Sequence, residues 1–257
     1  MKLAFRHFGE SNRPPLLILH GLLGSSRNWM TVAKELAASF EVFAVDLRNH
    51  GDSPHQRGMG FTELARDIVD FMHDHAIVEA SILGHSLGGK VAMRFAMEYP
   101  EKTVRLIVVD IAPKVYPPHH AAEFKAMHAL DLDAISSRKD ADVFFEKWVP
   151  DWSMRQFLLT NLKRGDDGRW RWCIGLDALT AALDEMRLNV LAADETYTGP
   201  TQFIVGGASD FVQEEDLSVI RTHFPQLQYS ILNDVGHNPH IEAKSAFLQV
   251  LDAFRLS

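Results

Sequence analysis

The chain of 257 residues is 46% hydrophobic and 23% charged, which suits one large globular domain with a core and room for a cavity, and excludes a disordered chain. Its 34 acidic against 26 basic residues leave a net charge of -8 without a basic block, which speaks against a nucleic-acid or anionic-membrane surface. With Cys173 as its single cysteine, the chain can form neither an intrachain disulfide nor a cysteine metal cluster.

The first residues, Met1-Lys2-Leu3-Ala4-Phe5-Arg6-His7, meet charge too early for a signal-peptide core, and no run approaches the roughly 18 apolar residues of a membrane span. A cytoplasmic protein without a membrane span is the expectation. Apolar runs of strand length follow at 16–19, 42–45, 81–83, 106–109, 201–205 and 229–232, most of them separated by segments of helical period. That alternation predicts an α/β fold, a mostly parallel sheet with helices on both faces. Residues 62–75 place Leu64, Ile68, Phe71 and Met72 on one face of a covering helix, and 90–98 and 242–254 repeat the pattern. Between 114 and 198 the rhythm breaks, with no convincing strand and helical segments rich in Phe, Trp, Met and Leu. This reads as a helical lid inserted over the ligand crevice of a core made of 1–113 and 199–257. Of its apolar residues Phe124, Met127, Phe144, Phe145, Trp148, Trp152, Phe157 and Leu158, most are expected to pack on one another and a third to line a pocket. No internal repeat, low-complexity segment, heptad or exposed apolar stripe marks a partner, so oligomeric state stays unread.

The chemistry begins at Ile82-Leu83-Gly84-His85-Ser86-Leu87-Gly88-Gly89, where a serine stands between glycines at the joint of an apolar strand and a helix. Gly84 and Gly88 leave room for a strained turn that projects the hydroxyl free of its own chain. The Gly-x-Ser-x-Gly pattern alone matches roughly one chain of this length in ten by chance, so the weight lies on what surrounds it. A serine needs a base to take its proton and a carboxylate to orient that base. His237, in the loop after the last strand and before the last helix, fits the base. His240 is its nearest competitor and reads as a surface or pocket-edge residue. For the carboxylate two aspartates end two strands, Asp110 after 106–109 and Asp210 in Gly206-Gly207-Ala208-Ser209-Asp210, and either satisfies the chain order Ser, Asp, His. For the oxyanion, the amide of Leu87 at the helix start and that of Leu22 in the turn His20-Gly21-Leu22-Leu23-Gly24 are the expected donors. Gly21 lets that turn bend inward, and His20 reads as its brace.

These motifs together resemble the α/β-hydrolase fold serine esterases from end to end. His20-Gly21 matches that family's oxyanion loop, Gly84 to Gly89 its nucleophile elbow, and Gly236-His237 its histidine loop. Asp46-Leu47-Arg48-Asn49-His50-Gly51-Asp52-Ser53 resembles its Asp-x-Arg-x-x-Gly-x-Ser turn, in which the Asp and Arg are mostly structural. The Arg-Asn-His-Gly wording and Val109-Asp110-Ile111-Ala112-Pro113 look most like the YbfF-type esterases and their mitochondrial ABHD11-like relatives, and this likeness favours Asp110 over Asp210. The resemblance implies hydrolysis of small to medium acyl esters, or of acyl thioesters such as acyl-CoA, through an acyl-Ser86 intermediate, with no metal or organic cofactor. Two rivals stay open: a carbon–carbon hydrolase with the same triad, which would need a pocket arginine such as Arg138, Arg155 or Arg164, and a ligand-binding protein without turnover. The pairs His119-His120 and His73 with His75 lack a third ligand at useful spacing and read as surface.

Overall fold

Runs such as Leu16-Leu17-Ile18-Leu19 and Leu106-Ile107-Val108-Val109 have no polar face, and only a sheet covered on both sides buries all of them. In the computed structural model, which describes residues 1–256, the strands are β1 (Phe5–Phe8), β2 (Pro15–Leu19), β3 (Glu41–Val45), β4 (Ala80–His85), β5 (Thr103–Val109), β6 (Leu162–Arg164), β7 (Trp170–Trp172), β8 (Thr201–Gly206) and β9 (Leu227–Leu232). Seven of them form one sheet in the order β1-β3-β2-β4-β5-β8-β9. Within it β1 pairs antiparallel to β3 and every other pair is parallel. Strand β1 escapes the sequence reading because Phe-Arg-His-Phe alternates over too few residues to show a period. Its pairing with Val42–Val45 makes it an edge strand.

The helices are α1 (Met30–Leu36), α2 (Phe61–Asp74), α3 (Leu87–Glu98), α4 (Ala121–Ala129), α5 (Arg138–Phe145), α6 (Trp152–Leu159), α7 (Leu176–Ala181), α8 (Leu183–Met186), α9 (Asp216–His223), α10 (Pro239–Glu242) and α11 (Lys244–Leu256). Alternate strand residues feed two cores. Leu17, Leu19, Ile82, Leu106, Val108 and Phe203 face α2, α3 and the 114–198 insertion. Leu16, Ile18, Leu83, Ile107, Val109 and Ile204 face Trp29, α1 and α11. Each such fully buried aliphatic or aromatic side chain contributes roughly 1.5–3 kcal/mol, so the two layers hold the sheet rigid beneath its loops.

The insertion carries α4 to α8 and also a two-stranded antiparallel hairpin of β6 and β7, contrary to the expectation of no strand there. Three residues a side are too few for a readable alternation, and the turn 165–168 brings them into register with Gly168 at φ 79. Helix α3 starts at Leu87, directly on the serine and ahead of the 90–98 stretch in which its apolar pattern is legible. Among the described residues no helix is long and apolar enough to cross a membrane.

Candidate active site

All the sequence-predicted residues stand at the carboxyl ends of the parallel strands, where loops of an open α/β sheet form a crevice. Ser86 follows β4 with φ 52 and ψ -117, a left-handed backbone that costs a non-glycine residue on the order of 1–3 kcal/mol. Close packing enforces it. A Cβ on Gly84 would lie 2.1 Å from the Gly88 carbonyl oxygen, and one on Gly88 would lie 2.3 Å from that of Leu19. The Ser86 amide donates to Val109 O at 3.0 Å, which ties the turn to β5.

Asp110, fully buried after β5, has φ 51. Its Oδ1 accepts from the Gly206 amide at 2.9 Å, and its Oδ2 accepts from Ser209 Oγ and, at 2.7 Å, from His237 Nδ1. Because the carboxylate can only accept, His237 carries its proton on Nδ1 and presents Nε2 as a base. The other candidate, Asp210, is exposed, and the histidine bond does not go to it. Its loop instead supplies Ser209, which reaches Asp110, and Phe211, whose ring stacks on His237 at 3.7 Å between centroids. Both neighbours escaped the sequence reading, although Ser209 sits in the loop that it singled out.

The turn after β2 closes with the Gly24 amide on Gly21 O at 3.0 Å, while the Leu23 amide donates to His50 Nε2 at 3.2 Å. It approaches the serine so closely that a Cβ on Gly21 would stand 3.3 Å from Ser86 Cβ. Among the described residues the Leu22 amide has no acceptor, and Leu87, as the first residue of α3, has none within its helix. His20 donates from Nδ1 to Gly21 O at 2.8 Å and accepts the Leu47 amide on Nε2 at 3.0 Å, so it braces the turn. Burial lowers the pKa of His20 to about 4 and that of His50 to about 3. Both stay neutral, each with one donating and one accepting nitrogen.

His85, the variable residue of the elbow, was not singled out in sequence. It donates from Nε2 to His237 O at 2.7 Å and so holds the histidine loop, with its pKa pushed down to about 3 by burial. His240 corrects an expectation: it is buried, not at the surface, and stacks on Trp29 at 4.0 Å and 6°. Of the pair His119-His120, His119 is exposed as expected and His120 departs from the surface reading. His119 meets the edge of Phe211 at 6.1 Å, and His120 is half-buried with its pKa lowered to about 4 by desolvation. His73 and His75 are exposed as expected.

In the turn after β3 the Asp and the Arg bind neighbouring backbone and side chains. Asp46 accepts the amides of Ser26 at 2.6 Å and Asp52 at 3.0 Å, and Arg48 grips buried Asp67 through Nε at 2.5 Å and Nη2 at 2.8 Å.

A cavity of about 220 Å³ joins Leu22 to the insertion, with Pro118, His119, Ala121, Thr180, Leu183, Asp184, Met186 and Arg187 completing its wall. None of the eight large apolar residues expected to share in a pocket lines it. Phe124, Met127, Phe145 and Leu158 are core, and Trp152 is 63% exposed. The three arginines considered for a carboxylate are engaged elsewhere: Arg155 with Asp142 at 2.7 Å, Arg138 with Leu162 O at 2.8 Å, and Arg164 with Gly168 O at 2.9 Å. The cavity's own arginine, Arg187, is paired with Asp184 at 3.0 Å. Among the described residues no cluster of three or more His, Cys, Asp or Glu could hold a metal ion.

A family model described as alpha/beta hydrolase fold matches residues 14–152. The Mus musculus protein named sn-1-specific diacylglycerol lipase ABHD11 is 36% identical over 254 residues, 96% of this chain and 82% of the relative. Esterase YbfF of Escherichia coli (strain K12) is 29% identical over 245 residues, 94% of this chain and 93% of its own. The solved structure of a marine microorganism esterase superposes with a TM-score of 0.95 at 34% identity, covering 98% of this chain and 99% of its own.

Proposed function

The chain belongs to the alpha/beta hydrolase fold family, and on that premise we propose that it is a serine carboxylesterase acting on small to medium acyl esters. The observation that carries this reading is the 2.7 Å bond from His237 Nδ1 to buried Asp110, made at the strand end next to Ser86 on its strained turn. His237 Nε2 takes the Ser86 proton as Oγ bonds to the ester carbonyl carbon. The carbonyl π pair moves to oxygen, where the amides of Leu22 and Leu87 receive it. Collapse expels the alcohol, which takes the proton back from Nε2 and leaves acyl-Ser86. Water then repeats the sequence: it gives a proton to His237, bonds to the acyl carbon, and the second collapse releases the acid and restores the serine.

Residues 114–198 act as the lid in this reading, since all but one of the residues around the 220 Å³ cavity belong to them. Leu22, an expected oxyanion donor, is the one residue of that wall outside 114–198, which supports the cavity as part of the substrate site. The relatives named as esterase and diacylglycerol lipase support an ester bond as the target; a thioester such as acyl-CoA would be cleaved by the same steps. Carbon–carbon cleavage of a carboxylate substrate would call for a cation at the cavity, and among the described residues the arginine there, Arg187, already has Asp184 as its partner.

The test is the initial rate on p-nitrophenyl esters of increasing acyl length, wild type beside Ser86→Ala. Hydrolysis that disappears in the variant supports the reading, and folded wild type that turns over no ester defeats it.

A further inference from the structure

Lys90 lies one turn after Ser86 on α3 and is only 2% exposed, yet among the described residues no carboxylate pairs with it. An ammonium without a counter-ion stays buried only where its donors find acceptors. Here Nζ meets three carbonyls, Leu188 O at 2.6 Å, Met186 O at 3.2 Å and Lys114 O at 3.5 Å, with the Tyr116 ring 4.8 Å away. Burial lowers its pKa to about 7, and either protonation state keeps at least two N–H donors for these oxygens.

The three carbonyls come from the two legs of the 114–198 insertion, one where it leaves the sheet and two where it returns. Arg94, a further turn along α3, extends the grip by donating to Val190 O at 3.2 Å and holding Glu195. The legs also bind one another, the Tyr116 amide donating to Arg187 O at 2.9 Å. Tyr116 OH then donates to Phe211 O at 2.7 Å, and Phe211 is the ring stacked on His237. Met186 and Arg187 belong to the cavity wall that also holds Leu22. An aliphatic residue at 90 would suit the burial but would leave these carbonyls unpaired.

We propose that Lys90 is a positioning residue for ester hydrolysis, clasping both legs of the lid to the helix that carries Ser86 and so setting the cavity wall at Met186 and Arg187. This rests on the esterase reading above. In the full chain, Lys90→Met raises KM for p-nitrophenyl octanoate roughly tenfold or more, the range a displaced pocket contact commands, while kcat on p-nitrophenyl acetate stays within about twofold. Hydrogen exchange followed by mass spectrometry shows amides at 114–116 and 183–190 exchanging about tenfold faster, with those of β4 and β5 unchanged. An unaltered KM, or acceleration spread evenly over the sheet, overturns the proposal. Should Lys90→Met fail to fold, Lys90→Gln, whose amide can serve only part of the carbonyl set, is read by the same two measurements, and wild-type values in both overturn it. If the wild type hydrolyses neither ester, the esterase reading falls, and exchange at 183–190 alone decides the clasp.

Discussion

Replacing Asp110 with Asn changes one atom and one charge, and the structure fixes how the new amide must turn. The Gly206 amide points at Oδ1 from 2.9 Å and can only donate, so the asparagine oxygen stays there. Its NH2 therefore faces His237 Nδ1 across the 2.7 Å gap, and the imidazole can bond to it only with Nδ1 unprotonated. The proton moves to Nε2, where it blocks the lone pair that must accept the serine proton. Loss of the correct tautomer in a serine triad costs roughly four decades in kcat, or about 5 kcal/mol of barrier. Asp210→Asn, at an exposed position away from the imidazole, stays within about threefold of wild type. The assay is kcat and KM on p-nitrophenyl acetate for wild type and the two variants side by side, with circular dichroism to confirm the fold. Asp110→Asn within tenfold of wild type, beside a loss of thousands in Asp210→Asn, would refute the assignment. Small losses in both would show that no single carboxylate orients the base.

Ser209→Ala removes the hydroxyl that donates to Asp110 and accepts the Phe211 amide at 3.2 Å. A loss of about 1–2 kcal/mol lowers kcat roughly tenfold with KM for acetate unchanged, and an unchanged kcat would remove Ser209 from the network. Arg48→Met strands the Asp67 carboxylate, which is 4% exposed, and costs about 3–5 kcal/mol, which thermal denaturation registers as a Tm lowered by about 10 °C. A shift under about 2 °C would show the pair to be dispensable. His20, His50 and His85 are held neutral down to pH values near 4, 3 and 3, whereas in the unfolded chain they take up protons below about 6.5. Stability is therefore full above pH 6.5 and falls as pH drops toward those folded values, by about 2 kcal/mol per histidine between pH 6.5 and 5. Urea titrations across that interval measure it, and a flat midpoint would mean that the three rings are not held neutral.

Five of the six legible strands lie inside the sheet and are buried on both faces over the stretches read, and β9, an edge strand with Ile231 54% exposed, was read from a short apolar stretch alone, while β1 and the β6–β7 hairpin were not legible, being three or four residues long with polar residues interleaved. Ser86 was legible because the strained turn needs glycines at fixed offsets in one stretch of chain. His237 was legible from its place between the last strand and the last helix.

What the sequence by itself determined, then, is whatever is encoded locally: the apolar period of the strands, the glycine spacing of the elbow, and the order of the serine, the two aspartates and the histidine. Which carboxylate meets the imidazole is a matter of distances across strands, because Asp110 lies 127 positions from His237 in the chain and is brought to 2.7 Å only by the pairing of β5 with β8 and β8 with β9. The same holds for buried His240 on Trp29, for Ser209 and Phe211 around the triad, and for Lys90 beneath the lid. A histidine or lysine reads as polar wherever it stands in a sequence, and only the packed fold supplies the acceptors and rings that let it be buried.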